Sequence, residues 1–150
     1  MGKINFIFGI HCHQPVGNFD HIFEEAYRKS YLPFVSTLEK FSRMKVVMHF
    51  SGCLLEWLEL KYPRYLERIR RLVESGRVEI LTGGFFEPII PIIPEEDAVD
   101  QIKYLTRYIK RNFNYDPKGM WLTERVWEPH IAKPIADAGV QYLPVDDHHF

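Results

Sequence analysis

Short apolar runs rich in Ile, Val and Phe alternate along this chain with longer segments whose apolar residues recur at helical spacing. Parallel strands need a crossover between them, usually a helix, so this alternation indicates β–α units that share one parallel sheet. The expected strands cover residues 4–11, 45–50, 78–82, 120–123 and 142–145. We therefore expect an α/β fold built on five parallel strands.

Two segments between these strands carry clear helix signals. In residues 63–76 the apolar side chains share one face, Pro63 suits the first turn and Gly76 suits the position after the last turn. Residues 94–111 begin with acids and end with bases, as the helix dipole favours. The other expected helices cover residues 22–41, with an interruption near Pro33, and residues 131–138.

Bulk composition excludes several classes of protein. The chain has 150 residues, 46% of them hydrophobic, and a formal net charge of −1, which is typical of a globular domain with a real core. Lys and Arg are dispersed, so neither a nucleic acid nor a membrane is an expected partner. The two cysteines, Cys12 and Cys53, favour free thiols over a disulfide, and the N-terminus lacks a signal-peptide cleavage site. These features predict a cytoplasmic protein.

No linker or low-complexity tract divides the chain, so residues 1–150 are expected to belong to one domain. Five β–α units are fewer than a closed eightfold barrel requires, since such a barrel takes about 250 residues. The sequence also ends in VDDHHF, just past the fifth expected strand. We expect the N-terminal part of a longer barrel, with an open five-stranded sheet as the alternative.

Polar residues gather where the expected strands end. In parallel α/β folds this edge of the sheet forms the active site. Glu124 ends the fourth strand, with Trp121 and Trp127 on either side, and is a candidate nucleophile, general base or metal ligand. The tryptophans suit either the core or stacking on sugar rings. The second strand ends in HFSG, residues 49–52, and the other polar residues of this edge are His11, His13, Gln14, Glu79, Glu87, Asp146, Asp147, His148 and His149.

Three stretches resemble the signatures of one enzyme family. HQP within FGIHCHQPVGNF, GRVEILTGGFFEP and WLTERVW resemble, in order, the first three motifs of glycoside hydrolase family 57. The similarity is closest to its 4-α-glucanotransferases and α-amylases, thermophilic enzymes that act on α-1,4-glucans. The resemblance implies an incomplete, seven-stranded, TIM-like (β/α) barrel, of which this chain would hold the first five strands.

The resemblance also implies roles for individual residues. Glu124 corresponds to the family's nucleophile, which forms a covalent glycosyl-enzyme in a retaining mechanism. An α-1,4-glucan or maltooligosaccharide is the implied partner, and no metal or other cofactor is implied. The implied substrate-binding residues are His11, His13, Glu79, Trp121 and Asp147.

Two departures from the family pattern affect these expectations. The family's acid/base aspartate lies in a fourth motif downstream, and neither Asp146 nor Asp147 matches it, so residues 1–150 alone are expected not to turn over glucans. Cys12 also stands where the family often has asparagine. The sequence leaves open the choice between hydrolase and transferase, and the oligomeric state, with a homodimer among the options.

Two other functions stay open at this stage. The spacing of His11 and His13 would place two imidazoles on one side of a strand, as in metal-dependent hydrolases of the amidohydrolase or deacetylase kind. Residues 146–149 could complete such a site. A non-catalytic glucan-binding domain would instead keep the aromatic groove without a full pair of carboxylates.

Overall fold

The computed structural model describes residues 3–149; Met1, Gly2 and Phe150 lie outside the described residues. The strands are β1 (Gly9–Cys12), β2 (Val46–Phe50) and β3 (Val78–Ile80). The α-helices are α1 (Asp20–Ala26), α2 (Leu32–Lys40), α3 (Gly52–Lys61), α4 (Pro63–Glu74), α5 (Glu95–Phe113) and α6 (Ala132–Asp137). Short 3-10 turns cover Ile90–Ile92, Thr123–Arg125, Pro129–Ile131 and Asp147–His149. The predicted α/β class is confirmed.

The sheet runs β1, β2, β3 in chain order, and both strand pairs are parallel. The register places His11 directly beside His49, and Val47 beside Glu79. Because side chains alternate along a strand, these four residues share one face of the sheet. The opposite face carries buried residues such as Met48, which belong to the main core. One face of the sheet is therefore structural, and the other is available for a site.

The first strand is shorter than predicted. It was expected from residue 4, but β1 begins at Gly9, and Ile4, Phe6 and Ile7 are largely exposed. Among residues 3–149, β1 pairs only with β2, which itself begins at Val46. Residues before position 8 therefore extend beyond the end of their only partner.

The predicted fourth and fifth strands are reduced to single parallel bridges, between Thr82 and Met120 and between Gly119 and Tyr142. The fourth segment pairs with the chain just after β3, and the fifth segment pairs with the fourth, in the predicted order and direction. The fourth segment stops early because the chain enters a 3-10 turn in which Glu124 has a left-handed backbone. Five full strands are thus not formed among the described residues, and the incomplete seven-stranded barrel stays a prediction.

The two helices with the strongest sequence signals form as predicted. Pro63 occupies the first turn of α4, and Gly76, with φ +67°, follows its end. Helix α5 carries acids in its first turn and bases in its last, and Asn114 caps it in the left-handed conformation. Helix α6 also ends before a glycine, as expected. Signals within each segment were therefore sufficient to predict these three helices.

The predicted interruption near Pro33 takes the form of a widened turn. Helix α1 passes through a π-helical turn, Tyr27–Tyr31, directly into α2. The N–H of Leu32 bonds the carbonyl of Tyr27, five residues back, one more than in an α-helix. Proline disrupts the regular ladder because it has no N–H and its ring crowds the preceding turn. Because of this π-helical turn, α1 continues into α2 and the helix runs through Pro33 without a break.

Two hydrophobic clusters stabilise the chain. The larger joins β2 and β3 to α1 through α5, and the smaller packs α5 and α6 against the segment around Met120 and Leu122. Phe85, from the loop after β3, is fully buried in the larger cluster. Between residues 3 and 149, no helix combines the length and apolar character needed to cross a membrane.

The larger cluster predicts a strong effect of one truncation. Ile69 of α4 is fully buried, so Ile69→Ala should lower the free energy of unfolding by about 2–5 kcal/mol through lost packing and a cavity. Leu60 of α3 is 78% exposed, and Leu60→Ala should change it by less than about 0.5 kcal/mol. Chemical denaturation followed by circular dichroism measures both. Equal midpoints for the two variants would contradict the assignment of the core.

Candidate active site

Two histidines meet at the carboxyl ends of β1 and β2. The rings of His11 and His49 stack with centroids 5.0 Å apart, and their Nδ1 atoms are 2.9 Å apart. At that distance one ring donates a hydrogen bond and the other accepts it. His49 is fully buried, and its Nε2 has no hydrogen-bond partner among the described residues. The sequence places His49, in the HFSG stretch, at this edge but indicates no role for it, although strand alternation puts it on the same face as Val47.

Glu87, in the loop after β3, lies among three imidazoles. Its carboxylate hydrogen-bonds Nδ1 of His13, and its Oε1 is 3.5 Å from Nε2 of His11 and 3.3 Å from Nδ1 of His49. The side chain is only 3% exposed, and its ion-pair contacts in the described residues are all with histidines. We call His11, His13, His49 and Glu87 the histidine–glutamate cluster. The sequence places Glu87 at this edge but indicates no catalytic or binding role for it.

An aromatic surface borders the histidine–glutamate cluster. The indole of Trp121 stacks on His11, with centroids 4.5 Å apart and planes inclined by 16°. The guanidinium of Arg125 lies 5.8 Å from the centroid of the same indole and forms an ion pair with Asp146. Trp121 comes directly after the Met120 bridge, so the sheet itself fixes its position. The edge of the sheet thus joins imidazoles, an indole and a cation.

The loop that carries His13 is held by buried hydrogen bonds. The hydroxyl of Tyr31 donates to the His13 carbonyl at 3.1 Å, and the side-chain amide of Gln14 donates to the Tyr31 hydroxyl at 3.1 Å. The backbone N–H of Gln14 donates to Oγ of Ser51 at 3.2 Å. Gln14 of the HQP motif is therefore an anchor that positions His13 at the site.

Strained backbone concentrates at this edge. Among the described residues, Glu87, Glu124 and Arg125 have φ of 53°, 52° and 52°, a region that costs a non-glycine residue about 1–3 kcal/mol. The fourth such residue, Asn114, ends a helix, where the conformation is common. Conformations of this cost persist where the surrounding structure imposes them, and they cluster at functional sites.

The histidines of the cluster are held in the neutral form. Burial, with His13 and Arg125 nearby, lowers the pKa of His11 to about 4. Burial, reinforced by His11 and His13, places the pKa of His49 well below its ordinary value. Burial also lowers the pKa of His13, against the opposing charge of Glu124, which places that carboxylate close enough to act on His13. Neutral imidazoles both donate and accept hydrogen bonds.

Three donors of the cluster lie close enough together to hold a metal ion. His11, His13 and Glu87 each offer one ligand atom, and these atoms lie within 4.8 Å of one another. The sequence alternative looked to residues 146–149 to complete such a site. In the structure Glu87 supplies the third donor, and Asp146 forms its ion pair elsewhere. The side chain of His149 lies outside the described part of the chain.

Glu79 lies on the same face of the sheet as His49, further from the carboxyl edge. Its carboxylate accepts a hydrogen bond from the Tyr142 hydroxyl, and burial raises its pKa. It lines a cavity of about 710 Å³ together with Trp121. The sequence left open an ion-pair partner or a substrate acceptor; the contact seen here is with a hydroxyl, the group that a sugar would present.

The remaining predicted residues lie at the end of the fourth segment and in the last turn. Glu124 is exposed within the turn Thr123–Arg125. Asp147 is exposed at the start of the turn Asp147–His149, whereas its neighbour Asp146 binds Arg125. The structure therefore brings His11, His13 and Trp121 together with Glu124 nearby, and places Glu79 deeper on the same face.

Comparison with known proteins identifies the family. The model of Glycosyl hydrolase family 57 matches residues 7–150, so the chain belongs to this family. Over 150 residues it is 54% identical to the 4-alpha-glucanotransferase of Thermococcus litoralis and 51% identical to an alpha-amylase of Pyrococcus horikoshii. These alignments cover 100% of the chain but 23% and 24% of the two relatives.

A solved structure shows the same fold. The crystal structure of the 4-alpha-glucanotransferase from Thermococcus litoralis matches with a TM-score of 0.97 over 100% of this chain and 23% of that one. The family suggested by the HQP, GRVEILTGGFFEP and WLTERVW motifs is confirmed. The chain spans about a quarter of the length of the curated relatives that it matches.

The lowered histidine pKa values predict acid sensitivity. The unfolded chain protonates these imidazoles near the ordinary pKa of 6.5, whereas the pKa of folded His11 is about 4. Below about pH 6.5 the unfolded state therefore binds more protons, and stability falls as the pH drops. We expect Tm to fall between about pH 6.5 and pH 5, above the range where most carboxylates titrate. Calorimetry at several pH values measures this slope.

A matched pair of variants tests whether the histidines of the cluster cause the fall of Tm at low pH. His11→Asn removes one of the shifted groups and should flatten the slope of Tm against pH. His21→Asn, on the exposed start of α1, should keep the slope of the unmodified protein. A Tm that does not change between pH 6.5 and 5 in the unmodified protein would show that the imidazoles are not buried as described.

Proposed function

We propose that this chain is the N-terminal part of the catalytic (β/α) barrel of a retaining enzyme that acts on α-1,4-glucans, as a 4-α-glucanotransferase or an α-amylase. Family membership and the activities of the similar proteins, a 4-alpha-glucanotransferase and an alpha-amylase, support this proposal. The observation that carries it is the position of Glu124, an exposed carboxylate on a strained turn that follows the Met120 bridge, near enough for its charge to raise the pKa of His13. A cytoplasmic location also remains part of the proposal.

In the proposed mechanism the Glu124 carboxylate attacks the anomeric carbon and forms a covalent glycosyl-enzyme. A second carboxyl group, about 5–5.5 Å away, protonates the leaving oxygen. The resemblance assigns that role to an aspartate of a later motif, and the ion pair of Asp146 with Arg125 argues against Asp146 as the acid. Water then completes hydrolysis, whereas the 4-hydroxyl of another glucan completes transfer.

The proposed contacts to the glucan follow from the local chemistry. When Nδ1–H of neutral His13 donates to Glu87, its Nε2 is an acceptor for a sugar hydroxyl. The Glu79 carboxylate accepts a hydroxyl from Tyr142 and would accept one from sugar in the same way. The indole of Trp121 offers an apolar surface for a pyranose ring. The proposed substrate-binding set is His11, His13, Glu79, Trp121 and Asp147.

Glu124→Gln tests the nucleophile. In the native-length protein this change keeps the size of the side chain but removes the attacking oxygen anion, so kcat on maltoheptaose should fall by at least about a thousandfold. Binding of maltoheptaose, measured by calorimetry, should change little. Glu128→Gln, at another exposed glutamate four positions along, is the matched control and should retain activity. Turnover by Glu124→Gln at the unmodified rate would overturn the assignment.

The product distribution tests the reaction class. The native-length protein is incubated with maltoheptaose and EDTA, and the products are analysed by mass spectrometry. Glucans both longer and shorter than the substrate are expected from a transferase, and only shorter ones from an amylase. Because the proposed mechanism uses carboxylates alone, EDTA should not reduce the rate.

The donor group of His11, His13 and Glu87 favours a second candidate, a metal-dependent hydrolase. In that case turnover would stop when EDTA is added and return when a divalent metal is restored. A non-catalytic glucan-binding domain would instead bind maltoheptaose and release no product under either condition. The same experiment therefore separates all three functions.

A further inference from the structure

Three residues of the histidine–glutamate cluster, His11, His13 and Glu87, hold their donor atoms near the spacing of a tetrahedral metal site. Ligand atoms about 2.0–2.1 Å from a tetrahedral zinc ion lie about 3.3 Å from one another. Nε2 of His11 and Oε1 of Glu87 are 3.5 Å apart, and the ligand atoms of His11, His13 and Glu87 all lie within 4.8 Å. Two imidazoles and one carboxylate leave a fourth position for water, as in zinc sites with three protein ligands.

An unpartnered buried atom independently points to a ligand at this place. Oε1 of Glu87 makes no hydrogen bond in the described structure, although its side chain is 97% buried (3% exposed). Its nearest neighbours are Nε2 of His11 at 3.5 Å and Nδ1 of His49 at 3.3 Å, both on neutral imidazoles, so an ion bound between His11 and Glu87 would supply the positive charge that these contacts lack. The usual cost of burying a carboxylate without a cation argues for such an occupant.

The surroundings also supply the outer contacts that metal sites require. An imidazole ligand usually hydrogen-bonds through its other nitrogen, which fixes the ring. His11 does so, because its Nδ1 is 2.9 Å from Nδ1 of buried His49. Access is open from one side, since the side chains of His11 and His13 are 27% and 41% exposed. The cluster is buried on the side of His49 and open to solvent on the side of His11 and His13.

We propose that Nε2 of His11, Nδ1 of His13 and the carboxylate of Glu87 bind one Zn²⁺ ion, and that this ion excludes α-glucan from the cleft. Binding moves the hydrogen on Nδ1 of His13 to Nε2, which frees the Nδ1 lone pair for the metal. The imidazole-rich donor set selects Zn²⁺ over Mg²⁺. The exclusion of glucan rests on the proposed function, since it requires the sugar to lie against Trp121 and His13; the metal site itself does not.

Isothermal titration calorimetry of the native-length protein with ZnCl₂ tests the site. We expect one site on the unmodified protein and no binding of MgCl₂. Glu87→Gln and His13→Asn should each weaken Zn²⁺ binding at least about tenfold, since even changes to outer contacts of metal ligands cost about 10–100-fold. His13 is the more exposed of the two, so its variant tests the site even where loss of Glu87 disturbs folding.

Two control variants test whether Zn²⁺ binds at other histidine or cysteine side chains. His21→Asn removes an exposed imidazole of α1, and Cys53→Ser removes a partly buried free thiol. Both variants should bind Zn²⁺ with unchanged affinity. Unchanged affinity in Glu87→Gln and His13→Asn, or a loss in Cys53→Ser, would overturn the proposal.

Competition with sugar separates this inference from the proposed function. Maltoheptaose at saturating concentration should weaken Zn²⁺ binding, and Zn²⁺ should inhibit turnover until EDTA is added. If the two cluster variants lose Zn²⁺ binding while maltoheptaose has no effect on it, the metal site stands and the placement of glucan beside His13 is wrong. If glucan binds and no variant changes Zn²⁺ binding, the metal site is wrong and the glucan cleft stands.

Discussion

The buried carboxylate of Glu87 is the constraint on which the edge of the sheet depends. It contacts three imidazoles from two strand ends, and its own backbone is left-handed. The two preceding glycines make this arrangement possible. A Cβ at Gly83 would lie 2.7 Å from Nε2 of His49, and a Cβ at Gly84 would lie 2.7 Å from Cδ of Pro88. Larger residues in the GGFFEP motif would push the loop away from the histidines.

The strand register links the core to the chemistry. Along β2, fully buried Met48 belongs to the main core while His49 stands on the opposite face beside His11. A slip of one residue would exchange these faces and place an imidazole among aliphatic side chains. Tight packing of Met48 therefore sets the geometry of the histidines, and the stability of the core is inseparable from the position of the site.

Local patterns predicted much of this molecule. The helical spacing around Ile69 and the capping signals of α5 were sufficient because they depend on neighbours in sequence. The cluster was only partly predictable, since its contacts join residues 38 and 74 positions apart. Parallel strands place such residues together, but the sequence does not show which side chains approach. The early end of the fourth strand depends on the backbone of Glu124, which no local pattern marks.

The position of β1 at the edge of the sheet has a consequence for folding. One side of β1 has no strand partner in the described structure, and exposed Phe6 and Ile7 come just before it. Unpaired backbone groups next to apolar side chains template the addition of any extended segment, including one from another molecule. When residues 3–149 fold by themselves, β1 is therefore the strand most open to domain swapping and aggregation.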